Sequence, residues 1–224
     1  MDLTAYGRTL DDILSQYRPE VLVIENEENS RLFYLGTPEQ YQAELQAACS
    51  VAHERGIPCT NGGLVSTLVA MLVYDHYVQS GNQGQARSFA ERAFTPEERR
   101  LLGSSKAQEQ IQKGKALLNA YVAAGADYVN FHWYIADPTA LAEAVQFLKD
   151  ATGLPVMTNE IGQQDISPAT VTNLMDEVVR LGLPFAVWFS IDAPQANALM
   201  NPDGTLRENG LAFQQFIQSR CPSP

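Results

Sequence analysis

Five times along this chain a helix-patterned segment runs into a short apolar one, and that alternation constrains the fold more than any single motif. Residues 2–17 carry Leu3, Tyr6, Leu10, Ile13, Leu14 and Tyr17 at helical spacing; Pro19 stops the pattern just before VLVIEN. PEQYQAELQAACSVAHER, residues 38–55, repeats the helical pattern with Tyr41, Leu45, Ala48 and Val51, and IPCTNGG follows as a short strand running into glycines. GKALLNAYVAAGADYVNFHWYI, LAEAVQFLKDATGLPVMTNEIG and PATVTNLMDEVVRLGLPFAVWFSID each read as helix then strand again. Two of the joints are nearly the same, TGLPVMTNE and LGLPFAVWF. Repeated alternation of this kind predicts a parallel sheet wrapped by helices, in a barrel or an open doubly wound sheet.

With 224 residues, 45% of them hydrophobic, the chain can bury one substantial core, and residues 1–224 are expected to form a single domain. The longest connection, residues 64–120, reads as a helical excursion over one rim of the sheet that can shape a groove. After the Asp203-Gly204 turn, an amphipathic helix from about Asn209 to Ser219 reads as the closing element. A formal net charge of -11 with no local Lys/Arg cluster argues against nucleic acid and against anionic membrane surfaces as partners. Cys49, Cys59 and Cys221 are odd in number and lack CxxC spacing, so they read as buried or free thiols rather than as a zinc site or disulfide framework. No apolar run approaches the roughly 18 residues that span a bilayer, and MDLTAYGRTLDD has neither the basic nor the apolar region of a signal peptide.

Parallel strands leave a sheet in one direction, so the residues at their carboxyl ends can be read as one site. In chain order these are Glu25-Asn26-Glu27, Asn61-Gly62-Gly63, His132-Trp133-Tyr134, Asn159-Glu160 and Trp188. Acids, amides and an indole suit a carbohydrate, whose hydroxyls need hydrogen-bonding groups and whose apolar face stacks on an aromatic ring. Two carboxyl groups about 5 to 5.5 Å apart let one attack the anomeric carbon while the other protonates the leaving oxygen, and a wider gap admits water and inversion. Strand parity puts His132 and Tyr134 on one face and turns Trp133 toward the helices. None of the strand ends carries the lysine of a Schiff-base aldolase, and only His132 among histidines lies at one, so neither a metal nor a cofactor is expected. Asn61-Gly62-Gly63 lacks the nearby lysine of a phosphate site and can equally be a simple turn.

The ordered set VLVIENE, FHWY, LPVMTNEIG and FAVWFS resembles strands four, six, seven and eight of the retaining (β/α)8 glycoside hydrolases of clan A. The resemblance implies a TIM-barrel type of α/β fold and hydrolysis of a β-linked glycoside, oligosaccharide or polysaccharide by double displacement. It makes Glu27 the general acid/base, Glu160 the nucleophile, and Asn26 the group that bonds the sugar's 2-hydroxyl. Tyr134, with His132 nearby, would orient Glu160, and Trp188 would floor the subsite; Asn61 is a further candidate for substrate binding. Two positions depart from the pattern: Glu28 stands where the family has proline after the acid/base, and Asn159 precedes the nucleophile.

The resemblance begins at the third helix of such a barrel, so this chain matches its strands four to eight, with the first three absent, as in a truncated gene product or a fragment of a longer protein that could be secreted. An incomplete barrel leaves its terminal strands with unpaired edges. Self-association through those edges and little or no hydrolysis by the isolated chain are therefore expected. Two rival readings remain: a non-catalytic carbohydrate-binding or scaffold remnant of such a barrel, and an unrelated α/β protein whose sheet never closes.

Overall fold

The computed structural model describes residues 2–192 and 197–220. Cys221 lies outside them. The elements alternate as the sequence predicts: α1 (Leu3–Gln16), β1 (Leu22–Ile24), α2 (Pro38–Glu54), β2 (Cys59–Asn61), then α3 (Ser66–Gln79), α4 (Gln83–Ala93), α5 (Pro96–Leu101) and α6 (Ser105–Ala123) before β3 (Val129–Trp133). The chain continues through α7 (Pro138–Thr152), β4 (Val156–Ile161), α8 (Pro168–Leu181), β5 (Ala186–Trp188) and α9 (Glu208–Arg220). The 64–120 segment is thus four helices, and α3 is no loose excursion: Leu68, Val69, Ala70, Leu72 and Val73 are all buried in the core.

All strand pairs are parallel. β1 pairs β2, and β4 lies between β3 and β5. Parallel bridges Thr60↔Tyr128 and Leu64↔Phe131 join the two groups. The strands therefore follow one another in chain order, and among the described residues β1 has no partner but β2, and β5 none but β4. Closure into an eight-stranded barrel is not seen in this five-strand arc. Two register irregularities, between Asn130 and His132 and between Thr158 and Ile161, interrupt the ladder beside β4. Such bulges re-aim side chains at a strand's end.

The helix ends explain the repeated joints. Gly153 and Gly182 sit in the left-handed region at φ 71° and 64° and close α7 and α8, a conformation that costs glycine little, and proline then directs the chain into the next strand. At the other end of α2, Thr37 and Gln40 form a reciprocal capping box with Pro38 at the first helical position.

The reading of Cys49 and Cys59 as thiols is corrected by the structure, which joins them in a disulfide with their Cα atoms 5.2 Å apart. The cause is topological. The tight α2–β2 joint folds the helix's later turns back against the first residue of the strand, a proximity that a ten-residue separation does not reveal.

Candidate active site

The turn after β1 carries the first acid. Glu25 and Glu27 both adopt positive φ, 66° and 44°. For side chains other than glycine this backbone region is disfavoured, and it persists where surrounding contacts over-determine it. Those contacts come from the next two residues. Glu28 is fully buried and accepts from Asn61 Nδ2 at 3.0 Å and from the Tyr121 hydroxyl. Asn29 Oδ1 accepts from the Val65 amide at 3.1 Å, and its carbonyl accepts from Lys113 Nζ at 3.0 Å. Burial pushes the Glu28 carboxyl up from its ordinary value, against the hydrogen bonds from Tyr121 and Asn61 that pull it down. Its Oε2 is buried without a hydrogen-bond partner among the described residues.

The site itself is assembled on His132, which is fully buried at the end of β3. Its Nδ1 lies 3.0 Å from Glu27 Oε1 and 3.6 Å from Glu160 Oε2. One donor atom each from Glu27, His132 and Glu160 lie within 4.8 Å of one another, the cluster among the described residues dense enough to approach a cation. The other Glu160 oxygen is taken by the Tyr134 hydroxyl. Burial first, then the Glu160 carboxylate, push the Tyr134 phenol well above its ordinary value, so it remains a donor at any ordinary pH. On its far side, His132 Nε2 lies 3.1 Å from Asn159 Oδ1. The imidazole fits because Gly63, at φ 109°, has no side chain: a Cβ there would come within 2.3 Å of His132 Nε2.

The expected residues do not all take the expected places. Glu27, His132, Tyr134 and Glu160 converge. His132, expected beside Glu160, makes its shorter contact to Glu27. Asn26 is partly buried on the same turn as Glu27. Asn61 is wholly buried and spends its amide on Glu28 and on the backbone of Asn130. Trp133 is buried against Phe131, their rings 5.9 Å apart, as parity predicts. Trp188 packs on Phe213 of α9 at 5.6 Å between ring centroids and is 9% exposed. Its neighbour Phe189 is 50% exposed and sets its ring edge-on to Tyr134 at 6.4 Å. Sequence reading passed over Phe189, and it placed Asn159 at a strand end without giving it a role. A signal existed for both, since each adjoins a residue singled out at a strand end.

Known proteins match this chain through its structure. An exo-β-1,3-glucanase of GH128 subgroup VI from Aureobasidium namibiae superposes with a TM-score of 0.57 at 13% identity, over 89% of this chain and 69% of that one. An endo-β-1,3-glucanase of GH128 subgroup II from Sorangium cellulosum gives 0.57 at 17% identity, over 95% and 75%. A GH128 subgroup VII oligosaccharide-binding protein from Trichoderma gamsii gives 0.56 at 11% identity, over 96% and 74%. At such identities the likeness is one of fold. No family model matches the sequence, and no curated protein does. No helix among the described residues is long and apolar enough to cross a membrane.

A second acid pair lies near the end of β1, and it sets a pH dependence of stability. Glu44 of α2 is 2% exposed; burial, then the neighbouring Glu25 carboxylate, push its carboxyl up to about 7. A carboxyl raised in the folded state stabilises fully below its unfolded value of 4.5, and that contribution fades as pH rises through about 7. Glu28 acts with the same sign. Thermal unfolding midpoints should therefore fall between about pH 5 and about pH 8, by on the order of 2 kcal/mol of stability, and Glu44→Gln should flatten most of that slope. A midpoint that rises with pH over this range would contradict the assignment.

Proposed function

We propose that this protein is a glycoside hydrolase that cleaves a β-linked glucan by retaining double displacement. The observation that carries the reading is the approach of Glu27 and Glu160, whose nearest donor atoms lie within 4.8 Å across His132. That spacing suits a nucleophile and an acid working on one anomeric carbon and is shorter than the roughly 6.5–9.5 Å that separates the acids of inverting enzymes. The fold's likeness to β-1,3-glucanases supports a β-1,3-glucan as the substrate.

In this reading a Glu160 oxygen forms a bond to the anomeric carbon as the glycosidic bond breaks, and Glu27 gives its proton to the departing oxygen. Glu27, now a carboxylate, takes a proton from water, whose oxygen displaces Glu160 and restores both acids. Tyr134 orients Glu160 through its hydroxyl. Asn26 is assigned to the sugar's 2-hydroxyl, and Phe189, exposed beside Tyr134, takes the stacking role expected of Trp188. A 2-fluoro β-glucoside with a good leaving group should leave a covalent adduct on Glu160, read by peptide mass spectrometry. An adduct on another residue, or binding of gluco-oligosaccharides with no adduct at saturating reagent, would favour the carbohydrate-binding alternative.

The open outer edges of β1 and β5 also belong to this reading. We assign them to self-association.

A further inference from the structure

Glu27 is held by His132, and what holds His132 is an unbroken run of amides. Asn61 Nδ2 donates to Glu28 Oε1 at 3.0 Å and to the Asn130 carbonyl at 2.9 Å, while Asn61 Oδ1 accepts from the Asn130 amide at 2.7 Å. Main-chain groups fix which way the Asn130 side chain faces. Its Oδ1 accepts from the Asn159 N–H at 3.0 Å, and its Nδ2 donates to the Asn61 carbonyl at 3.1 Å. Backbone N–H and C=O groups cannot exchange roles, so this assignment is unambiguous. Asn130 Nδ2 also donates to Asn159 Oδ1 at 2.6 Å, which identifies that Asn159 atom as the oxygen. The same oxygen faces His132 Nε2 at 3.1 Å, so Nε2 must carry a proton.

We propose that Asn159, oriented by Asn130 and Asn61 and anchored on Glu28, is a positioning residue that keeps a proton on His132 Nε2 and thereby aims Nδ1 at Glu27. With Nε2 committed, the 3.0 Å contact between Nδ1 and Glu27 Oε1 holds a single proton. It sits on the carboxyl against a neutral imidazole, or on Nδ1 against a carboxylate. The contact thus holds Glu27 in register through both halves of an acid/base cycle. Tautomer and reach are set from behind, by groups that a sugar does not touch. The groups facing the imidazole are Glu27, Glu160 and Asn159, with Tyr134 one contact removed through Glu160 and Glu28 at the far end of the amide run. The two positions that depart from the family's pattern, Glu28 and Asn159, lie at the two ends of the amide run.

The inference rests on the reading of Glu27 as acid/base, but its test needs no turnover. In the full chain with 15N-labelled histidine, the His132 resonances are assigned by their loss in His132→Gln. Nε2 should stay protonated across the pH range in which the chain is folded, and only Nδ1 should change. Asn159→Leu should lose that preference and populate the other tautomer, whereas Asn159→Asp, which keeps an acceptor in place, should retain it. A bare Nε2 in the unsubstituted protein overturns the inference, and so do tautomer populations unchanged in a folded Asn159→Leu. If Asn159→Leu does not fold, the unsubstituted chain and Asn159→Asp still decide. A protonated Nε2 with no adduct on Glu160 would sink the proposed function alone; an adduct with a bare Nε2 would sink this inference alone.

Discussion

Glu160→Gln is expected to abolish whatever hydrolysis of β-1,3-gluco-oligosaccharides and aryl β-glucosides the chain performs, while leaving oligosaccharide affinity within a few-fold. An amide cannot supply the electron pair that forms the glycosyl-enzyme bond, yet it keeps the shape of the carboxylate and can still meet the Tyr134 hydroxyl. Glu27→Gln should behave differently. Loss of general acid/base assistance lowers the rate by about 10²–10⁴-fold, and the loss should track the leaving group. Substrates with acidic phenols need little protonation and should lose least, whereas glucan chains should lose most. Rates of both variants on an aryl series and on a glucan would separate the roles. Equal losses for Glu27→Gln on every substrate would argue against the acid assignment, and a Glu160→Gln that retains turnover would argue against the nucleophile.

The chain is expected to self-associate in a concentration-dependent way, visible by sedimentation at micromolar protein. Among the described residues β1 pairs with no strand but β2, and β5 with none but β4, and strand edges without a partner recruit further strands. Beside β5 the surface is apolar as well: Val187 is 55% exposed, and Phe189 and Ile191 are each 50% exposed. Val187→Lys places a charge on that edge and should shift the population to monomer without lowering the unfolding midpoint, since the native side chain is more exposed than buried. A monomer at all concentrations would show that the edges are protected. Weak hydrolysis restored when a further β/α segment closes the arc would tie the edges to activity.

Much of the architecture is readable from local pattern. The five helix–strand units, the GLP joints and the facing of Trp133 toward the helices follow from the 3.6 and 2.0 periodicities and from glycine's access to positive φ. Reading the strand ends as one face likewise singled out Glu27, His132, Tyr134 and Glu160, which do converge. What stayed hidden concerned contacts between units. Asn61, a candidate for substrate binding or a simple turn, is a buried strut; Glu28, which stands where the family has proline, is its fully buried anchor; Trp188 turned to α9 and left Phe189 beside Tyr134. The disulfide was missed for the same reason, because closeness across a joint is not encoded in spacing.

By itself, then, the sequence determined that helices and parallel strands alternate and which chemistry-bearing residues come to the carboxyl ends of the strands. Both follow from short-range sterics and side-chain periodicity. Only the tertiary structure decided which of those residues meet. The register shifts beside β4 bring Asn159 to His132 while Glu160, the next residue, still reaches Tyr134, a combination that strict strand alternation forbids. A shift of one residue between neighbouring strands changes every contact at their ends without altering the local pattern of either strand. For that reason the strand-end acids and amides could be found from the chain alone, and the contacts by which the amides hold the acids could not.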